Sequence, residues 1–330
     1  MIDRRTLIAG AVAAVLAPVC ASAQPSNQRK KTLGYVSFTD LPNLDSAFHR
    51  ALHQLGWEEG RNVIIERRNT QSGATLDAIC AELATRAPDV IAVPNAGIAV
   101  RMRAQTTTIP IVVMVAGDLV APGLVETLAR PGRNVTGTQV VQLDLMGKRL
   151  QLLKELVGNP TRVAGFYDRL TAPPSPAYWD DVRQRFAALA QELQMQSVLF
   201  LEVNAVDDLE DRFKTMAAQR VQGVLVWGSP FSFTHAARLI ALAAKYRIPA
   251  SYETGDPFVV GGGLMAYGVD FEAAFARGAV FVDKIFRGAK PAELPVEQPT
   301  KFELVINAKT AKTLGLTIPP SILQRARIIE

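Results

Sequence analysis

The side chains of this 330-residue chain that could do chemistry gather at the ends of short apolar runs, and none stands in a spacing that catalysis requires. A glycine loop closed by Lys-Ser or Lys-Thr, a Gly-x-Ser-x-Gly elbow, a His-Glu-x-x-His helix and a Cys-x-x-Cys pair are all missing from the sequence. With them go the commonest motif-borne phosphate, acyl-transfer, zinc and thiol chemistries. His49 and His53 stand four residues apart, a spacing that lets one helix face offer two imidazoles to a metal. No third ligand falls at a fitting distance, so they read as partly exposed helix residues, and His235 reads as a helix-start contact. Gly261-Gly262-Gly263 runs into a strand instead of opening a helix. A pyrophosphate would meet no helix N-terminus there, and the run reads as a tight turn or hinge. Neither a metal nor an organic cofactor is expected.

What is left is noncovalent recognition. In open α/β sheets, ligands sit beyond the carboxyl ends of the strands, where loops lead into helix N-termini. That rule selects Ser37, Phe38, Asn95, Ala96, Gly117 and Asp118 in the first half of the chain. In the second half it selects Tyr167, Asp168, Trp227, Gly228, Ser229, Tyr252, Glu253 and Thr254, with Tyr267 where the chain crosses between the halves. The set mixes aromatic faces, acids and small polar groups, as a pocket that buries an organic molecule requires. Phe38, Tyr167, Trp227, Tyr252 and Tyr267 offer surfaces to a ring or a cation. Asp118 and Glu253 could pair an ammonium, while backbone N–H groups near Asn95 and Ser229 could hold a carboxylate. Each residue also has an ordinary use as a helix cap or a core side chain.

The elements that must hold these residues follow from periodicity. Short β-branched runs alternate with amphipathic stretches of helical length from residue 31 onward, the pattern of parallel sheets covered by helices. Strands are expected at 33–38, 63–67, 90–94 and 111–115, with helices at 45–55 and 76–87. The pattern restarts with strands at 162–167, 197–201, 223–227 and 250–252 and helices at 180–193, 209–220 and 234–246. A strand through Tyr267, a helix over 271–287, an extended proline-rich stretch and a short helix near 308–314 complete the chain. The expected fold class is α/β: two doubly wound parallel-sheet lobes joined by a multi-strand hinge. The boundaries read as a first lobe of 32–139 plus 268–294 and a second of 140–267 plus 295–330. No low-complexity linker separates them, which argues against independent tumbling.

Residues 1–23 differ from the rest. Arg4-Arg5, an apolar stretch from Leu7 to Val19 and Ala21-Ser22-Ala23 give the three parts of a signal peptide cut after Ala23. The apolar stretch is too short to span a bilayer. The arginine pair fits the twin-arginine route as well as the general one. Residues 24–31 read as a basic tail carrying Arg29, Lys30 and Lys31. Cys20 falls inside the leader, so the exported chain keeps Cys80 alone and forms no internal disulfide. The net charge of +5 is spread among alternating acids instead of forming a patch, so no nucleic-acid partner is expected.

Longer segments resemble a known family. They are Thr108-Ile109-Pro110-Ile111-Val112-Val113, Leu128-Ala129-Arg130-Pro131-Gly132-Arg133-Asn134-Val135-Thr136-Gly137, Gly147-Lys148-Arg149-Leu150, and Gly261-Gly262-Gly263-Leu264-Met265-Ala266-Tyr267-Gly268. The ending from Gly288 through Pro295 to Asn307, and Leu314-Gly315-Leu316-Thr317-Ile318-Pro319-Pro320-Ser321, extend the likeness over nearly all of the exported chain. These resemble the ABC transporter substrate-binding proteins of the tryptophan/tyrosine type, with the type I periplasmic binding fold. The resemblance implies an extracytoplasmic, periplasmic protein that captures a small organic solute by hinge closure. It would deliver that solute to a membrane permease powered by a separate ATPase. The segments around Gly117-Asp118-Leu119-Val120, Gly228-Ser229-Pro230 and Tyr252 to Phe258 depart from the common forms, so the resemblance names no single solute. An exported ligand sensor with the same fold is the alternative. A hydrolase using Asp118 or Glu253 is a third reading.

Overall fold

The computed structural model describes residues 29–38, 42–70, 73–140, 142–168 and 176–330. The expected signal peptide, most of the basic tail and the side chain of Phe38 lie outside the described residues; Arg29 and Lys30 are exposed.

The first lobe is built on β1 (Lys31–Phe38), β2 (Val63–Thr70), β3 (Val90–Val93), β4 (Ile111–Ala116) and β5 (Val135–Gln139). They form a five-stranded sheet in the order β2-β1-β3-β4-β5, with every pairing parallel. Strand β3 is apolar and buried throughout, as a strand covered on both faces must be. Alternation along β1 sends Leu33 and Tyr35 to a core with Phe48 and Phe281 on one face, and Val36 to a core with Leu83 and Met102 on the other. Helices α1 (Pro42–Gln54), α2 (Gly73–Arg86) and α3 (Ala96–Gln105) supply the cover. The chain leaves α1 through Gly56, at φ +90°, where glycine meets no left-handed penalty.

The second lobe begins with α4 (Gln142–Val157) and continues through β6 (Arg162–Asp168), α5 (Pro176–Glu192), β7 (Gln196–Val203), α6 (Asp208–Ala218), β8 (Gly223–Val226), α7 (Pro230–Thr234), α8 (Ala236–Lys245), β9 (Ala250–Tyr252) and β10 (Met265–Val269). After β10 the chain crosses into α9 (Phe271–Phe286), whose Phe275, Ala279 and Val282 join the first-lobe core. It returns as β11 (Phe302–Asn307), α10 (Ala308–Leu314), α11 (Pro320–Leu323) and β12 (Ala326–Ile329). The second sheet has seven strands in the order β12-β11-β10-β9-β8-β6-β7. Only the β10–β11 pairing is antiparallel. The sequence reading had no strand at β5, β11 or β12. These short strands owe their state to neighbours far along the chain, which local propensity does not encode.

Three crossings join the lobes, at the ends of β5 and β10 and through residues 295–301. Two of them are stitched together: Gln139 N donates to Glu297 O at 2.9 Å, and Glu297 N donates to Gly137 O at 2.9 Å. The Glu297 side chain takes a bidentate pair from Arg277 on α9, both contacts at 2.6 Å. That hydrogen-bonded pair holds the Glu297 carboxyl below its usual range. A carboxylate depressed in the folded state contributes stability that is complete above the ordinary Glu value of about 4.3 and fades as pH falls through the depressed value. The partners are 42% and 36% exposed, so water screens the pair to about 1 kcal/mol or less. The native chain and Glu297→Gln are therefore expected to approach one another in melting temperature as pH drops below about 4. A gap that ignores pH contradicts this clamp.

Candidate functional site

The carboxyl ends of the two sheets face each other across a cleft. On one side the N-terminus of α1 brings up Asn43, whose Nδ2 donates to Asp256 Oδ2 of the second lobe at 2.9 Å. Phe233 of α7 also meets Phe271 of α9, with ring centroids 5.6 Å apart. Between these contacts lies a cavity of about 300 Å³, bordered by Asn43, Leu44, Thr254, Asp256, Phe271 and Arg327 among others. Of the residues selected from sequence, Thr254 borders it and the others do not. It occupies the α1 and α9 side of the cleft.

On the first-lobe wall, Ser37 ends β1 almost wholly buried and its Oγ donates to Asn69 Oδ1 on β2. Beside it, Tyr35 donates through its hydroxyl to Asp45 at 2.7 Å. Burial raises the Asp45 carboxyl above its ordinary value, against the hydrogen bond from Tyr35. Sequence reasoning missed Asp45, although an acid in the first turn of a helix after a strand is a readable signal. His49 leans on the Tyr35 ring, centroids 5.1 Å apart, and burial pulls its imidazole down to about 4, so it is neutral at physiological pH. His53 is exposed.

Asn95 caps α3, accepting from Ile98 N at 3.0 Å, and Ala96 is the first helical residue beside it. That cap leaves the backbone N–H groups of Ala96 and Gly97 at the helix start, where a first turn lacks internal acceptors. Gly117 and Asp118 are exposed beyond β4. The Asp118 carboxylate turns back on its own loop, accepting from Val120 N at 2.8 Å and Ala121 N at 3.2 Å. It acts as a turn cap here, a use the sequence does not distinguish from ligand pairing.

On the second-lobe wall, Asp168 ends β6 at 2% exposure and accepts from Ser229 Oγ. Ser229 is also the N-cap of α7, in a reciprocal capping box with Ser232. One hydroxyl thus ties the loop after β8 to the end of β6. Tyr167 and Trp227 are nearly fully buried, and both rest on Trp179 of α5. Tyr167 stacks on it at 4.1 Å and Trp227 meets it edge-on at 6.0 Å. The Tyr167 hydroxyl donates to Glu202 at 2.8 Å. The aromatic faces expected to be open to a ligand are instead a packed layer beneath the wall.

Tyr252 and Glu253 are separated by the strand. Tyr252 stacks on Phe258 at 4.6 Å in the core under α8, and its edge lines a crevice with Gly263 and Thr310. The expectation that it faces the cleft is corrected: its ring turns into the core against Phe258, while Glu253, just beyond the end of β9, turns to Arg149. Glu253 forms a buried ion pair with Arg149 of α4, 3.1 Å between Nη1 and Oε1, with both side chains 2% exposed. Arg149 Nε donates to the Tyr267 carbonyl at 2.7 Å. Burial pulls the Arg149 guanidinium below its usual value, and Glu253 opposes that shift. The Tyr267 ring is half-buried near Phe302 and packs against Val140 and Leu145 at the crossing.

Arg149 was not selected from sequence. The signal was present: it lies on the same helical face as Met146, Leu150 and Leu153, all fully buried, and a charge on such a stripe demands a buried partner. Among the described residues, no cluster of three metal-ligating side chains occurs and no helix is long and apolar enough to cross a membrane.

The chain matches known proteins along almost its entire described length. It is 25% identical to a tyrosine-binding protein of Clostridioides difficile, over 94% of this chain and 91% of that one. Its fold is similar to a conserved domain protein from Vibrio cholerae, with TM-score 0.81 and 24% identity, covering 92% of this chain and 100% of that one. An ABC domain from Streptococcus pneumonia in complex with L-Trp gives TM-score 0.80 at 20% identity, covering 91% of this chain and 100% of that one. These likenesses assign the type I periplasmic binding fold. The family model for ABC transporter substrate binding proteins matches residues 35–329, and the chain belongs to that family.

Proposed function

We propose that this protein is the periplasmic solute-capturing component of an ABC uptake system, closing on a small organic solute of the aromatic amino acid or aromatic acid kind. The observation that carries the reading is the paired set of strand ends across one cleft, with the lobes touching through Asn43 and Asp256. The first lobe, 32–139 plus 268–294, contributes Ser37, Phe38, Asn95, Ala96, Gly117 and Asp118. The second, 140–267 plus 295–330, contributes Asp168 and Ser229 to the wall, with Tyr167, Trp227 and Glu253 packed behind them and Tyr267 at the crossing. Within that set, Asn95 with the start of α3 suits a carboxylate, and Asp168 with Ser229 suits an ammonium. The likeness to a tyrosine-binding relative and to an L-Trp complex supports a zwitterionic aromatic solute.

Capture breaks no bond. The solute meets one lobe, recruits the other, and the closed form is what a permease with its separate ATPase would recognise. Export would follow from the leader at residues 1–23, with cleavage after Ala23. The test is a thermal-shift panel of amino acids and aromatic acids on natively purified protein. A true solute at 100 times its Kd is expected to add about 2.7 kcal/mol of stability. If no compound raises the melting temperature, solute capture of this class is wrong.

A further inference from the structure

We infer that Arg149 is a positioning residue for solute binding, acting through Glu253; the inference rests on the capture reading above. Glu253 is gripped from three directions. Its carboxylate lies so close over Gly228 that a Cβ there would sit 2.0 Å from Oε2, and its carbonyl oxygen lies 1.9 Å from where a Cβ of Gly268 would be. Arg149 completes the grip, with Nη1 on the carboxylate and Nε on the Tyr267 carbonyl.

The gripped parts are the ones that matter for capture. Gly228 stands between Trp227 and Ser229, so the carboxylate sets the height of the loop whose Ser229 reaches Asp168. Gly268 and Tyr267 belong to β10, which leads directly into the second crossing. One guanidinium therefore ties α4, the floor of the second-lobe wall and the hinge strand into a single body. A buried ion pair is a poor source of net stability, because desolvation offsets the attraction and an apolar pair of similar volume does as well. What the planar fork adds is direction: two acceptors, one just beyond β9 and one on β10, are fixed at once, which a point charge or a methylene chain cannot do.

Two variants separate positioning from packing. Arg149→Lys keeps the charge and loses the fork; Arg149→Met/Glu253→Met removes both charges and keeps the volume. Kd and stoichiometry are read by isothermal titration of folded, size-selected protein with the best solute from the thermal-shift panel. Both variants are expected to bind one solute per chain, with affinity lowered by about tenfold or more, the cost of about 1.4 kcal/mol of lost preorganisation. A purely structural role would lower melting temperature and leave the Kd of the folded fraction native. Should Arg149→Lys fail to fold, the double variant decides alone. Native Kd in a folded variant overturns the inference while the capture reading stands; a native chain that binds nothing in the panel overturns the capture reading and this inference together.

Discussion

Arg149→Met alone is expected to lower the stability of the second lobe by about 3–5 kcal/mol, the usual cost of breaking a buried ion pair by removing its cation. Glu253 would stay at 2% exposure with the Arg149 donor gone, and the Tyr267 carbonyl would lose the Nε donor. Gly228 and Gly268 are what let the Glu253 carboxylate and carbonyl lie so close to the backbone, since a Cβ would sit 2.0 Å and 1.9 Å from them. Urea unfolding followed by tryptophan fluorescence reads this out. Trp179 and Trp227 report on the second-lobe core and Trp57, against Phe286, on the first. The expected result is an earlier transition in the second-lobe signal. Arg277→Met, which breaks the more exposed pair at the hinge, should cost about 1 kcal/mol or less. Equal losses for the two variants would mean that burial of the Arg149 pair carries no special penalty.

Gly137→Ala is expected to be the most damaging small substitution in the first lobe. Gly137 sits in β5 at φ +142°, and a Cβ there would lie 2.0 Å from the Val113 carbonyl oxygen of β4. The overlap is with backbone, so no rotamer relieves it. The same residue accepts from Glu297 N, so any shift of β5 is passed to the hinge. A loss of at least about 3 kcal/mol follows, in the range reserved for backbone incompatibility combined with lost pairing. Gly56→Ala is the control, because φ is +90° there and nothing lies within 4 Å. It should cost only about 1 kcal/mol, the left-handed strain by itself. Chemical denaturation of the two variants side by side checks the contrast, and a Gly137→Ala no worse than Gly56→Ala contradicts the close approach of β4 and β5.

The architecture was legible because its signals are local. All-apolar Val90 to Val93 reads directly as a strand covered on both faces, whereas the helix that Asn95 caps was not among the expected elements. The site was less legible because its decisive contacts span the chain. Nothing near Arg149 names Glu253, which lies 104 positions away. Asp118 was read as a ligand group because an acid after a strand looks the same whether it pairs a solute or caps Val120. Tyr252 was placed on the cleft as the last residue of a strand, whereas its ring stacks in the core on Phe258, a partner that strand-end position does not reveal. Tyr167 and Trp227 were read as ligand surfaces or core side chains, and strand-end position could not show that Trp179, which packs on both, comes from a helix.

The central claim is that the chain holds one intact small solute between its lobes. Native mass spectrometry of natively purified protein, alone and with the strongest compound from the panel, measures this directly. The account predicts a one-to-one adduct that releases the solute at its starting mass, and an adduct population that falls in Asp168→Asn and Asn95→Ala. Protein that shows no adduct with any compound, or that releases a species of altered mass, would contradict it.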